Sequence, residues 1–192
     1  MRFVDIRFPV TGLTIAVDHG YSLYSAICRV APEFHTMKNA GLALVRGKYS
    51  ENGLLALNKL SAVRIRITAD SIPVFLSLAG KVLTVDDQKL TLGNPTIIQF
   101  KPRPVLYSHL VTTKNGDDEE RFNATIRSQL DSLGIQGKFL VGSRKTFKVS
   151  GKQIVGYRLL VTGLTAEESI ALQENGLGGR RKMGCGIFIG VR

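Results

Sequence analysis

Cysteine is scarce in this sequence, and the two present, Cys28 and Cys185, lie far apart with no Cys-x-x-Cys and no His/Cys spacing suited to zinc. A disulfide framework and a zinc module are excluded, and a reducing cytoplasm fits. Carboxylates are in deficit: 15 Asp+Glu stand against 26 Lys+Arg, a formal charge of +11 over 192 residues, which favours a polyanion as partner. Most of the acids cluster at predicted helix starts, as in Asp117-Asp118-Glu119-Glu120, where their ordinary role is to compensate the helix dipole. That weakens any metal-nuclease reading, and neither a metal nor a cofactor is expected. No apolar run approaches the length of a membrane span, and residues 1–8 alternate charged and apolar where a signal peptide has an apolar block. A soluble cytoplasmic protein without membrane contact is expected, and 44% hydrophobic residues suffice to bury a core.

What the chain does hold is glycine and positive charge in one place. Asn175-Gly176-Leu177-Gly178-Gly179-Arg180-Arg181-Lys182-Met183-Gly184-Cys185-Gly186-Ile187-Phe188 sets five glycines around three consecutive cations, after a capped helix and before an apolar strand. Glycine lets backbone N–H groups approach a ligand, and Arg-Arg-Lys adds charge, so phosphate is the obvious ligand. P-loops and dinucleotide fingerprints need the strand first and the helix second. Here the order is reversed and no Gly-Lys-Ser/Thr closes the loop, which points to a grip on a nucleic-acid backbone through Gly176, Gly178, Gly179, Arg180, Arg181, Lys182, Gly184 and Gly186. The bland alternative is a glycine-rich turn with solvated charges.

The rest of the chain reads as two similar halves. Val4, Ile6 and Phe8 alternate with Asp5 and Arg7 in a first strand, and Asp18 is a plausible N-cap for a helix over 19–30 that Pro32 stops. Apolar runs at 41–45 and 54–57 and the alternating Val63-Arg64-Ile65-Arg66-Ile67 read as strands. A short helix from Asp70 or Ser71 to near Gly80 and strands at 90–92 and 96–101 complete the half. Lys101-Pro102-Arg103-Pro104 is a stiff extended tract. Beyond it come a strand at 105–113, a helix capped by Asp117 with Glu120, and a hairpin over 137–161 turning at Ser150-Gly151-Lys152. A helix boxed by Thr165 and Glu168 and a final strand at 185–191 follow. In the hairpin's first strand Phe139, Val141, Phe147 and Val149 are expected on one face, with Lys138, Arg144 and Lys148 on the other. The repeated β-α-β-β-α-β order predicts an α+β chain of tandem ferredoxin-like (RRM-like) βαββαβ domains over 1–101 and 105–192, with a linker at 102–104 and a C-terminal glycine-rich loop. The aromatic-rich strand signature of RNA-recognition domains is absent, so base stacking on a sheet face is not the expected mode.

Together, the terminal Gly-Leu-Gly-Gly-Arg-Arg-Lys-Met-Gly-Cys-Gly-Ile-Phe and the two βαββαβ units resemble the CRISPR repeat-processing endoribonucleases of the RAMP superfamily. The resemblance covers the whole chain in topology and the C-terminal stretch as a specific motif. It implies that the loop contacts repeat RNA, and that precursor CRISPR RNA is cut within each repeat, without metal, leaving a 2′,3′-cyclic phosphate. The stretch from Asp18-His19-Gly20-Tyr21-Ser22-Leu23-Tyr24 to Pro32-Glu33-Phe34-His35 is similar to the region where such enzymes keep a catalytic histidine, often with a tyrosine. Their third residue, often a lysine, has no fixed spacing.

The chemistry narrows the candidates independently. Attack by a 2′-hydroxyl needs a base, an acid for the departing 5′-oxygen, and charge or donors for the phosphorane. Only three histidines are available. His35 follows the first helix, whose negative end favours imidazolium and hence an acid, and Lys38 is close in sequence. His19 sits at the helix's positive end, which favours the neutral form and a base, or a structural role. His109 reads as structural within a strand. Tyr21 and Tyr24 are donors to the phosphate or packing residues beside the apolar stripe. The hairpin residues Arg144, Lys145 and Lys148 add basic contacts to crRNA. The competing readings are a non-catalytic RAMP-type RNA-binding subunit among the other subunits of an interference complex, and a general RNA-binding or ribosome-associated protein.

Overall fold

The computed structural model describes residues 2–191 and divides into two compact units, Met1–Gln99 and Phe100–Arg192. Each has its own hydrophobic core.

The first unit opens with β1 (Phe3–Thr11), where period-2 alternation sends Val4, Ile6 and Phe8 into the core. β2 (Thr14–Ala16), α1 (Gly20–Val30), the single turn α2 (Glu33–Thr36), β3 (Gly41–Ala43), β4 (Lys48–Tyr49), β5 (Leu54–Ala56) and β6 (Ala62–Thr68) follow. A 3₁₀ turn at Ala69–Ser71 leads into α3 (Ile72–Leu76), and β7 (Val82–Val85), β8 (Gln88–Leu92) and β9 (Thr96–Gln99) close the unit. β1 lies antiparallel between β6 and β9, with Ile6 opposite both Ile65 and Ile97. The path β3-β6-β1-β9 is therefore the four-strand order of a ferredoxin-like sheet. The β7-β8 hairpin joins the far end of β1, and the apolar run at 54–57 leaves the main sheet for a small separate one, β2-β5-β4.

Several expectations for this unit change: the helix expected to reach near Gly80 ends at Leu76, and the strand expected over 96–101 ends at Gln99. The N-cap of α1 is His19, not Asp18, and it makes no side-chain cap bond. Arg66 and Asp5, expected on the outer face, are 2% and 3% exposed and face each other across β6 and β1 at 2.8 and 3.1 Å. A buried pair of this kind stabilises little by itself, but losing either member leaves an uncompensated buried charge.

The second unit runs β10 (Val105–Val111), α4 (Glu119–Ser132), β11 (Lys138–Val149), β12 (Lys152–Thr162), α5 (Ala166–Asn175) and β13 (Ile189–Gly190), with sheet order β11-β12-β10-β13. This is again ferredoxin-like. Phe122, Ile126 and Leu130 recur at fourfold spacing and put one face of α4 in the core. Its N-cap is Asp118, which accepts from the Arg121 N–H, one residue after the predicted Asp117; Asp117 instead meets Arg144 at 3.2 Å. At α5 both arms of the Thr165/Glu168 capping box form. The hairpin turns on Ser150 and Gly151, both at positive φ (48° and 77°), as a tight two-residue connection requires.

The register of β11 against β12 shifts between Val141 and Arg144, inserting one residue. Because side chains alternate, the bulge reverses which face every later residue takes. Phe139 and Val141 join the main core, whereas Phe147 and Val149 join a second cluster with Leu110, Ile154 and Cys185. The four therefore do not share a face. Lys138 is likewise separated from Arg144 and Lys148. The last strand is also shorter than the predicted 185–191. Gly186 N–H still reaches Leu110 O at 2.7 Å, but its φ of +64° breaks the pleat, leaving only Ile189–Gly190 paired with β10.

Candidate active site and candidate nucleic-acid interface

The sequence Ala31-Pro32-Glu33-Phe34-His35 makes a corner. Proline ends α1, and α2 restarts at once, with Phe34 and His35 bonded back to Ala31 O and Pro32 O at 3.1 and 3.0 Å. Phe34 is fully buried, edge-on to Phe75 of α3 at 5.5 Å between ring centroids. Its burial turns the next residue, His35, to solvent. Tyr24 packs on Phe34 at 5.7 Å and its hydroxyl reaches His35 Nδ1 at 2.7 Å. Two residues eleven apart in sequence thus form one hydrogen-bonded unit at the surface of the first unit.

The Tyr24 hydroxyl is pushed up to about 12, first by desolvation and next by its hydrogen bond to Cys28. At neutral pH it is a protonated phenol and not a base. Tyr21, half-buried, lies one turn earlier on α1, close enough to contribute to that shift. Lys38 is exposed just beyond α2.

His19 has different surroundings. It is 1% exposed, its Nδ1 lies 2.7 Å from Ala16 O, and its Nε2 accepts the Val45 N–H at 2.9 Å. An acceptor at Nε2 and a carbonyl at Nδ1 are compatible only with the neutral Nδ1–H ring. Desolvation lowers its pKa, and Ala16 O and the Asp18 and Asp86 charges offset part of that effect. Both ring nitrogens serve the fold, tying the start of α1 to the chain after β3.

In the second unit, residues 175–188 are stitched to their own fold. Gly176 and Gly186 have φ of +63° and +64°, and a Cβ on either would strike the other strand of the loop, at Gly186 O and Leu177 O respectively. A Cβ on Gly178 would strike Thr112 O. These glycines permit close approach of the chain to itself. The N–H groups of Gly178, Gly179 and Gly186 bond Gln129 Oε1, Thr112 O and Leu110 O at 2.7, 2.9 and 2.7 Å. Gly179 is different: a Cβ there meets nothing within 4 Å. It and Arg180, in the left-handed region at φ 57°, form an exposed tip before a 3₁₀ turn at Arg181–Met183, and Gly184 ends that turn at φ 90°.

The three cations consequently do different things. Arg180 is exposed, whereas Arg181 is half-buried and donates to Glu174 O in the last turn of α5 at 2.7 Å. Lys182 is half-buried beside it. The hairpin cations are also divided. Arg144 is bonded to Asp117, Lys148 is exposed, and Lys145 sits on the opposite face, 3.0 Å from His109 Nε2. Desolvation and the nearby Arg158 lower the Lys145 pKa. His109 is exposed, not a core histidine. Gln129, which holds the loop through the Gly178 N–H, carried no signal in the sequence beyond its place on the second unit's first helix.

Among the described residues, no three His, Cys, Asp or Glu side chains are grouped as metal ligands, and no helix is long and apolar enough to cross a membrane.

A CRISPR-associated endonuclease Cas6 of Myxococcus xanthus (strain DK1622) is 38% identical over 189 residues, covering 98% of this chain and 82% of that protein. A solved CRISPR associated protein Cas6 superposes with a TM-score of 0.70 at 15% identity, over 99% of this chain and 100% of its own. A second structure, described as an RAMP protein binding different RNA substrates, gives 0.70 at 13% identity over 96% and 98%. The sequence model of the Cas6 Crispr family matches residues 4–192. With the tandem ferredoxin-like units already described, these findings show that the chain belongs to the Cas6 family.

Proposed function

We propose that this chain binds CRISPR repeat RNA and cleaves the precursor within the repeat by 2′-hydroxyl attack, without a metal ion, leaving a 2′,3′-cyclic phosphate. The observation that carries the reading is the 2.7 Å bond between Tyr24 and His35 at an exposed corner. It is supported by the 38% identity to a Cas6 endonuclease and by the +11 charge. A proton-transfer residue needs a solvent-reachable ring and a partner that holds it in one orientation, and this pair supplies both. His35 is the acid that protonates the departing 5′-oxygen. Tyr24 orients it, and Lys38, with Tyr21, supplies charge and donors for the phosphorane. His19 takes no part, since its nitrogens are engaged inside the fold. Gly179, Arg180 and Lys182 contact the RNA backbone, with Arg144, Lys145 and Lys148 adding charge.

The corner at His35 also favours this reading over a non-catalytic RNA-coating subunit, which needs charge but no oriented imidazole. The test is a repeat transcript carrying one 2′-deoxy nucleotide at the cut site, compared with the all-ribo transcript in excess chelator. The ribo transcript is cut in chelator to a cyclic-phosphate end and the deoxy one is bound but intact. Cutting of the deoxy transcript, or loss of cutting in chelator, overturns the reading.

A further inference from the structure

Two irregularities in the second sheet fall on the same residue. β10 shifts register against β12 between Ser108 and Val111, and β11 shifts between Val141 and Arg144. In both cases the partners on β12 are Leu159 and Tyr157, so an extra residue is inserted on either side of Arg158. Tyr157 and Leu159 belong to the main core, and alternation therefore sends the exposed Arg158 to the opposite face of the sheet. A bulge bends its strand and re-aims the side chains beside it. Here it is accompanied by a contact between strands that do not pair: Lys145 Nζ of β11 lies 3.0 Å from His109 Nε2 of β10, across the intervening β12. The residue opposite Lys145 on β12 is Gly156, which has no side chain to block that reach, and where a Cβ would strike Val111 O. Gly142, inside the β11 bulge, lies against Arg158 in the same way: a Cβ there would meet Arg158 Cβ at 3.0 Å.

This cluster has positive charge and no acid to balance it. Residues 138–162 contain six Lys and Arg and no Asp or Glu. Among the described residues, the second unit's ion pairs join Arg121 to Asp118, Arg127 to Asp131 and Arg144 to Asp117, and include neither Lys145 nor Arg158. An ammonium only donates, so His109 Nε2 is the acceptor, but a neutral ring cancels no charge. Desolvation and the neighbouring Arg158 both lower the Lys145 pKa, so the fold holds the lysine where its charge is disfavoured. An anion bound between the two cations removes that cost.

We propose that Arg158, Lys145 and His109 form a seat for one phosphodiester of the bound RNA, with Arg158 and Lys145 supplying the charge and His109 holding the lysine over Gly156. This rests on the RNA binding proposed above and assigns part of it to a site built on three strands of the second unit. A phosphodiester offers two non-bridging oxygens, which a guanidinium and an ammonium can share. The seat grips backbone and reads no base.

The test compares the parent with Arg158→Gln, Lys145→Gln, the double variant and His109→Ala, in affinity for a repeat transcript between about 50 and 200 mM salt and in denaturant unfolding. Each single variant that removes a charge is expected to bind roughly tenfold more weakly and to lose roughly one unit of log–log salt slope or a little less. Because the two cations share one phosphate, the double variant loses little more slope than either single one. His109→Ala keeps both charges but frees the lysine, so its affinity falls by roughly threefold with the slope retained. Arg158→Gln leaves the unfolding midpoint unchanged or raises it, since a repelling neighbour is gone. Slope losses that add in the double variant mark two independent surface charges and overturn the proposal. So does parental affinity in any variant, or a lowered midpoint in Arg158→Gln, which marks a residue that serves the fold. A parent whose own affinity for the transcript does not change with salt overturns instead the RNA-binding reading beneath it.

Discussion

Phe34 and His35 are consecutive, yet one is sealed between aromatic rings and the other is offered to solvent with a tyrosine behind it. The sequence carried both residue types and the proline that makes the corner, so the region was legible. The contact was not, because its length depends on the angle at which α2 leaves α1. His19 shows the opposite limit: its place at a helix start suited a base as well as a structural role, and only its two backbone partners decide between them. The glycines of the C-terminal segment were legible as backbone that needs close approach, but what they approach at Gly176, Gly178 and Gly186 is the chain's own carbonyls. His19 yields a prediction at this scale. Its pKa is lowered by burial below the ordinary 6.5, so below that pH the unfolded chain binds a proton that the folded one resists. Its contribution is fully present above pH 6.5 and is lost as pH falls through the window beneath it. His19→Gln is expected to cost about 1–3 kcal/mol at pH 7 by leaving buried partners unmatched. It should also shrink the stability lost between pH 7 and 5, measured by denaturant unfolding; an equal loss in both proteins contradicts the assignment.

Elements were read well wherever a local rule governs them. The Thr165/Glu168 box, the Ser150-Gly151 turn and the apolar face of α4 all follow from neighbours in sequence. The bulge in β11 was hidden by the even spacing of Phe139, Val141, Phe147 and Val149, and its one local sign was Gly142 at the register shift. Its consequence is that Lys138 faces away from Arg144 and Lys148; Lys145 stands with His109, and Arg144 with Asp117. The same element-scale logic separates Arg180 from Arg181. Arg180→Ala is expected to weaken RNA binding and to flatten the log–log salt dependence by roughly one unit or a little less, with stability unchanged within about 0.5 kcal/mol. Arg181→Ala removes the donor to Glu174 O in the last turn of α5, and is expected to cost about 1–2 kcal/mol in thermal or denaturant unfolding. Normal binding by the first variant, or full stability of the second, contradicts the division of labour.

At the scale of the molecule, the two ferredoxin-like units were visible as a repeated order of elements even without repeated residues, because the order is fixed by hydrophobic period and turn chemistry. The additions to the first unit, the β2-β5-β4 sheet and the β7-β8 hairpin, were not, since short strands of two to five residues carry too little pattern to show which sheet they join. Nor was the buried Asp5–Arg66 pair, which alternation alone assigns to solvent. In the function proposed above, the charge of +11 supplies affinity for RNA and the His35 imidazole turns that affinity into cleavage. The most direct measurement is therefore single-turnover cleavage of a repeat transcript by His35→Ala at saturating protein, with its affinity for the RNA determined in parallel. Unchanged binding is expected, with a rate lower by roughly 10²–10⁴-fold, the range for loss of one general acid. Cleavage at the parent's rate would contradict it.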